Sequence, residues 1–158
     1  MIIDKNLEID NVDIKILSEL MKDAKTPYTE IAERIFVSGG TVHVRMKKLE
    51  KIGVVKGATL DIDFSKLGYD ITAFLGIFLE KSSLYEQVCQ ELHRIPEILT
   101  LHYTTGNYSI FAKVICRDTN HLRQVLHDKI QRISGITSTE TMISLEERLN
   151  RPLAIDID

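Results

Sequence analysis

The sequence predicts an α+β chain of two domains, and three observations predict it. Apolar residues recur at helical spacing as far as Ile52, they alternate at strand spacing from Ile71, and the two periods then take turns up to Leu145. The chain has 158 residues, 44% of them hydrophobic, which suits either one core or two small ones. The change of period therefore makes the division: a first domain over 1–62, a linker over 63–70 where the period fades around Gly68, and a second domain over 71–158.

The first domain reads as helices followed by a strand pair. Asp10 is placed to cap a helix, with Asp13 as its capping-box partner, and Ile14, Leu17, Leu20 and Met21 form the apolar stripe. Thr26 stands as a cap before Pro27, which suits a first helical position, and Ile31, Ala32 and Ile35 give a short second helix its buried face. The loop Phe36-Val37-Ser38-Gly39-Gly40 interrupts the pattern. A third helix is expected from about Thr41 to Ile52, with Val42, Met46, Leu49 and Ile52 inward and His43, Arg45, Lys47, Lys48 and Lys51 outward. Gly53 stops it, and Val54 to Ile62, turned at Lys56-Gly57, has the pattern of a β-wing. Together these elements describe a winged helix-turn-helix domain.

The second domain reads as βαββαβ. Ile71, Ala73, Leu75, Ile77 and Leu79 alternate as a strand, and Leu84, Val88 and Leu92 repeat as a helix that ends before Pro96. Ile98 to Thr104 and Ile110 to Cys116 are strands around a tight Gly106-Asn107 turn. Leu122, Val125, Leu126, Ile130 and Ile133 make a second helix, and Ile136 to Leu145 a last strand. This order gives a ferredoxin-like antiparallel sheet with both helices on one face. The opposite face carries Phe74, Phe78, Phe111 and Ile115, and an exposed apolar face of that kind marks an interaction surface. It predicts a homodimer in which one sheet packs on its twin; the alternative is that the first domain folds back over it.

Composition excludes several classes. The start, Met1 to Glu8, lacks a secretion signal, and the apolar run Ala73 to Leu79 is too short to span a bilayer, so a cytoplasmic protein without membrane partners is expected. Cys89 and Cys116 show no metal-ligand or disulfide pattern. The five histidines have no metal spacing, and no phosphate loop or nucleophile motif is present, so neither a catalytic residue, a metal nor a cofactor is expected. The net charge of -3 argues weakly against a nucleic-acid binder, but the basic excess is concentrated in Arg45-Met46-Lys47-Lys48-Leu49-Glu50-Lys51.

That segment lies on the second helix of a helix-turn-helix, where the major groove of double-stranded DNA admits an α-helix and its early residues reach base edges. Ser38, Gly39, Thr41 and His43 are those early residues, and Arg45 is able to pair bidentately with guanine. Lys47, Lys48 and Lys51 suit phosphate anchoring.

The run from Ser38 to Gly53 resembles the recognition helix of the Lrp/AsnC, or feast/famine, regulators, with their Ser-Pro-x-Thr-Val-x-x-Arg-x-x-x-Leu-Glu pattern followed by Gly-Val or Gly-Ile. Asp10, Asp13, Ile16 and Leu17 resemble the family's opening helix. The segments Tyr103 to Phe111 and Ser138 to Leu145 resemble most the asparagine-responsive members. Two positions depart from the pattern: Phe36 stands where the family has a turn glycine, and Gly39 where it has proline, so the turn is expected to differ locally.

The resemblance implies an amino-acid effector near the glycine loop, at contacts between dimers that assemble toward an octamer. Gly106 lets backbone amides approach a carboxylate, while Tyr103, Thr104, Thr105, Asn107 and Tyr108 offer polar groups. Ser138, Thr139 and Glu140 complete the expected site, Glu140 supplying a negative charge for the ammonium. Asparagine is the effector implied; residue chemistry leaves glutamine, leucine and methionine open. Two other readings remain: a constitutive architectural DNA-binding protein, and an enzyme of the sirohaem decarboxylase kind, which resembles the same family.

Overall fold

The structure, a computed structural model, describes residues 8–155; the start of the chain, read above for a secretion signal, lies outside the described residues up to Leu7. Two compact units emerge: Ile62–Arg148, and the residues up to Asp61 together with those from Leu149. This division differs from the sequence reading in two places. Phe64–Leu67 of the expected linker forms a 3-10 turn that groups with the second unit, and the tail from Leu149 groups with the first. Arg151 to Ile155 line a cleft with Ser18, Met21 and Lys22. A tail without periodicity gives no sequence signal of where it docks.

The first unit holds α1 (Asn11–Lys22), α2 (Tyr28–Ile35) and α3 (Gly39–Lys51). Asp10 and Asp13 form the expected capping box on α1. Of the expected stripe, Ile14 is buried and Leu17 and Leu20 pack on the core, while Met21 is exposed and Ile16, outside that stripe, is wholly buried. The cause lies in the neighbours, because Ile16 meets Ile31, Ala32, Val42, Met46 and Leu49 in the small core. On α2, Pro27 itself takes the N-cap position, its carbonyl accepting from the Ile31 N–H at 3.1 Å, so Thr26 does not cap. The α3 core face is the expected one, with Val42, Met46 and Leu49 buried.

The expected strand pair after α3 is not formed. No strand occurs between Val54 and Ile62, and the Val54 and Val55 N–H groups instead turn back to the Leu49 carbonyl at 3.0 and 3.2 Å. A two-stranded ribbon outside a larger sheet is marginal, and among the described residues this segment has no third strand to pair with.

The second unit is the expected βαββαβ fold: β1 (Ile71–Leu79), α4 (Tyr85–His93), β2 (Ile98–Tyr103), β3 (Ile110–Cys116), α5 (Thr119–Gln124) and β4 (Ile136–Ile143). The sheet is antiparallel in the order β2-β3-β1-β4. α5 runs on into a π-helical turn over Val125–Ile130, which carries the expected apolar positions Val125 and Ile130 into the core. Ala73, Leu75, Ile77, Ile110, Ala112, Val114 and Cys116 pack beneath Val88, Leu92 and Leu122.

On the other face the strand register brings aromatics together. Phe74 and Phe111 stack with centroids 5.8 Å apart, and Phe78 meets Tyr108 edge-on at 5.2 Å. Ile115 lies on this face as expected, opposite Thr72 in the register, but is buried rather than exposed. Among the described residues no helix is long and apolar enough to cross a membrane.

Candidate functional site

The DNA-reading candidates sit at the turn before α3 and along that helix. Ser38 is its N-cap: its Oγ accepts from the Thr41 N–H at 3.1 Å and lies 2.8 Å from Thr41 Oγ1. The two hydroxyls thus hold each other at the start of the helix. Phe36 adopts the left-handed conformation, φ 59° and ψ 48°, as a glycine would. Phe36 thus supplies the left-handed conformation that glycine adopts easily, at the cost of local strain. Gly39 takes the first helical position, and a Cβ there would meet Thr29 Cγ2 at an ordinary 3.7 Å, so the missing proline is a matter of preset geometry and not of space.

Outward residues of α3 divide into two sets. His43, Lys47 and Lys51 are exposed, with His43 tilted against Tyr28 at 6.1 Å. Lys47 and Lys51 have no carboxylate partner among the described residues. Arg45 and Lys48, expected outward, are instead partly covered and turned toward α1. Arg45 Nη1 reaches Asp10 Oδ2 and both Asp13 oxygens, the latter at 3.3 Å; Lys48 Nζ reaches Asp13 Oδ2 at 3.1 Å and the Glu8 carbonyl. Burial works against the Asp10 charge, but the Asp13 N–H and Arg45 outweigh it and lower the Asp10 pKa. Asp13 was missed as a member of this site because its capping-box role already accounted for it.

In the second unit the glycine loop runs over 104–109. It is a wider connection than the expected two-residue turn, because Thr104 closes it: the Thr104 N–H donates to the Ser109 carbonyl at 3.3 Å and its Oγ1 to the Tyr108 carbonyl at 2.8 Å. The Ser109 N–H then crosses to the Ile77 carbonyl of β1 at 2.9 Å. Thr105, Gly106 and Asn107 are exposed at the tip, with Gly106 at φ 114°.

The structure gathers some effector candidates and separates others. Glu140 pairs with Gly76 and Ser138 with Phe78, so both lie on the helix-free face with Tyr108. Thr139 pairs with Ile77 and Tyr103 with Ile110, which turns these two to the helix side; there Tyr103 packs on Tyr85 at 4.4 Å. The Tyr108 hydroxyl donates to Glu140 Oε2 at 2.7 Å. That bond first, and burial second, raise the Tyr108 pKa above the ordinary phenol value.

Gly76 is the residue missed here. A Cβ on it would fall within 2.7 Å of Tyr108 Cγ, so the glycine makes room for the ring. A glycine inside a strand was the available signal, since it often marks close approach by another group.

Another ion cluster stands apart from the loop. Glu97 receives Lys129 at 2.6 and 2.7 Å and lies 3.2 Å from His121 Nε2, while His121 Nδ1 accepts from the Arg117 N–H. Burial pushes the neighbouring Cys116 thiol up to about 11, which keeps it inert.

Residues 9–56 match the winged helix-turn-helix DNA-binding family, and residues 72–153 match the Lrp/AsnC ligand binding domain. The chain is 47% identical to the regulatory protein AsnC of Haemophilus influenzae over 92% of its own length and 97% of that protein. It is 43% identical to regulatory protein AsnC of Escherichia coli K12 over 94% and 98%. The structure of E. coli AsnC superposes with a TM-score of 0.88 at 42% identity, covering 93% of this chain and 99% of that one. A transcriptional regulator of Neisseria meningitidis, NMB0573, in complex with L-Met, shares the fold at a TM-score of 0.86 and 21% identity, over 94% and 96%. The chain therefore belongs to the Lrp/AsnC family of DNA-binding transcriptional regulators, with a winged helix-turn-helix unit followed by a ligand-binding unit.

Proposed function

We propose that this regulator reads a pseudo-palindromic operator as a homodimer and responds to asparagine. Base edges are met by Ser38, Gly39, Thr41 and His43 at the start of α3, and phosphates by Lys47 and Lys51. The dimer is formed through the helix-free face of the sheet, where Phe74, Phe78 and Phe111 are only half-covered within one chain. Dimers assemble further, toward an octamer.

The amino acid occupies the loop Thr104 to Tyr108 with Ser138 and Glu140. One observation carries this placement: Glu140, a carboxylate able to hold an ammonium group, is brought beside that loop by the Tyr108 hydroxyl at 2.7 Å. Tyr103 and Thr139 face the other way in the chain, so they act on the ligand only through a neighbouring copy. The bound effector shifts assembly or operator affinity by its differential affinity for two states. The 43–47% identity to proteins named AsnC supports asparagine.

A thermal-shift screen against the twenty amino acids tests this. A ligand that binds only the folded state, at about 100 times its dissociation constant, adds roughly 2.7 kcal/mol. A selective shift with asparagine supports the reading, a selective shift with another amino acid replaces asparagine, and no shift with any leaves a constitutive DNA-binding protein.

A further inference from the structure

Charged groups of the first unit meet at one point behind the recognition helix. Asp13, on the first turn of α1, is wholly buried although it is a carboxylate. A carboxylate is tolerated in such a place only when cations and hydrogen-bond donors surround it. Asp13 has both: the Asp10 N–H at 3.1 Å, Arg45 Nη1 at 3.3 Å and Lys48 Nζ at 3.1 Å. Asp10 takes a second bond from the same Arg45 nitrogen. Two carboxylates thus face two cations, and the formal charge of the cluster sums to zero.

Arg45 and Lys48 are one helical step apart on α3, and so share the face turned to α1. Lys47 and Lys51 share another, exposed face. Moving Arg45 or Lys48 onto a phosphate would strip a buried carboxylate of a partner, a penalty that outweighs one solvent-screened phosphate contact.

We propose that Asp13 is the positioning residue of the DNA reader. It binds Arg45 and Lys48, fixes α3 against α1, and withholds both cations from phosphate, so that the electrostatic part of DNA binding by α3 falls to Lys47 and Lys51. The proposal rests on the DNA-reading role of α3. It replaces the sequence reading of Arg45 as a guanine contact and of Lys48 as a phosphate anchor.

The test uses the full chain and two duplexes: one of mixed sequence, about four helical turns long, and one recovered from a random pool by selection with the unaltered protein. Affinity for the mixed duplex is measured across a series of salt concentrations. Removing one cation from a phosphate lowers the slope of log K against log salt by ~0.9. Lys47→Gln and Lys51→Gln are each expected to flatten the slope by that amount per bound protomer. Arg45→Met and Lys48→Met are expected to leave it unchanged, yet to lower the preference for the selected duplex over the mixed one by about tenfold or more. General unfolding of the protein would weaken both duplexes equally and leave that ratio alone.

The triple variant Asp13→Leu, Arg45→Met, Lys48→Met removes the buried carboxylate together with both cations and replaces the cluster with apolar packing. It is expected to regain the preference that Arg45→Met alone loses. A slope flattened by Arg45→Met or Lys48→Met as much as by Lys47→Gln overturns the positioning role while leaving DNA binding intact. Failure of the unaltered protein to bind either duplex removes the DNA-reading role of α3 as well.

Discussion

The Tyr108 hydroxyl donates to Glu140 Oε2 at 2.7 Å, joining the loop after β2 to β4 across the width of β1. The bridge exists because Gly76, opposite Glu140 in the register, leaves the surface of β1 open for the tyrosine ring. Gly76→Val is therefore expected to displace the ring and destabilise the second unit by about 1–3 kcal/mol through overpacking. Urea unfolding measures this; an unchanged midpoint would show that the ring moves aside freely.

The same bridge makes Tyr108 a reporter. Glu140 favours the neutral phenol, so its pKa is raised in the fold. By linkage, the stabilisation is fully present below the ordinary phenol value and is lost as pH rises through the raised one. Glu140→Gln is expected to bring the Tyr108 ionisation back toward 10.0, followed by ultraviolet difference absorbance. If the titration of Glu140→Gln overlays that of the unaltered protein, the bond does not persist in solution.

Phe36 holds a left-handed backbone and is 95% exposed, so replacing it removes strain and little burial. Phe36→Gly is expected to stabilise the first unit by about 1 kcal/mol, the gain in local conformation exceeding the entropy that glycine adds to the unfolded chain. Thermal unfolding is the measurement, and a lower midpoint would mean that the ring has a partner in solution.

Acid stability should depend on Glu97. Burial opposes its charge, but Lys129, a backbone N–H and His121 together outweigh burial and hold its pKa below 4.5. A depressed carboxylate contributes stability above its unfolded pKa and loses it as pH falls through the folded one. Glu97→Gln is expected to be less stable than the unaltered protein near neutrality and to show a shallower fall in unfolding midpoint below about pH 4.5. Parallel curves for the two proteins would place the acid sensitivity elsewhere.

Much of this molecule is set by local pattern. The capping box of Asp10 and Asp13, the inward face Val42, Met46 and Leu49, and the alternation from Ile71 to Leu79 follow from short-range periods and caps, which depend only on neighbours along the chain. The run from Ser38 to Gly53 and the βαββαβ order sufficed to identify the family.

Pairing across the chain is different, because no period records which distant residue meets which. Tertiary structure alone decided that Arg45 and Lys48 turn inward to Asp13, that the Tyr108 hydroxyl meets Glu140 across β1, and that Val54 to Ile62 remains unpaired. A charged side chain on a helix can serve solvent, DNA or a buried carboxylate equally well by sequence; the choice rests on the desolvated partner that packing brings within reach.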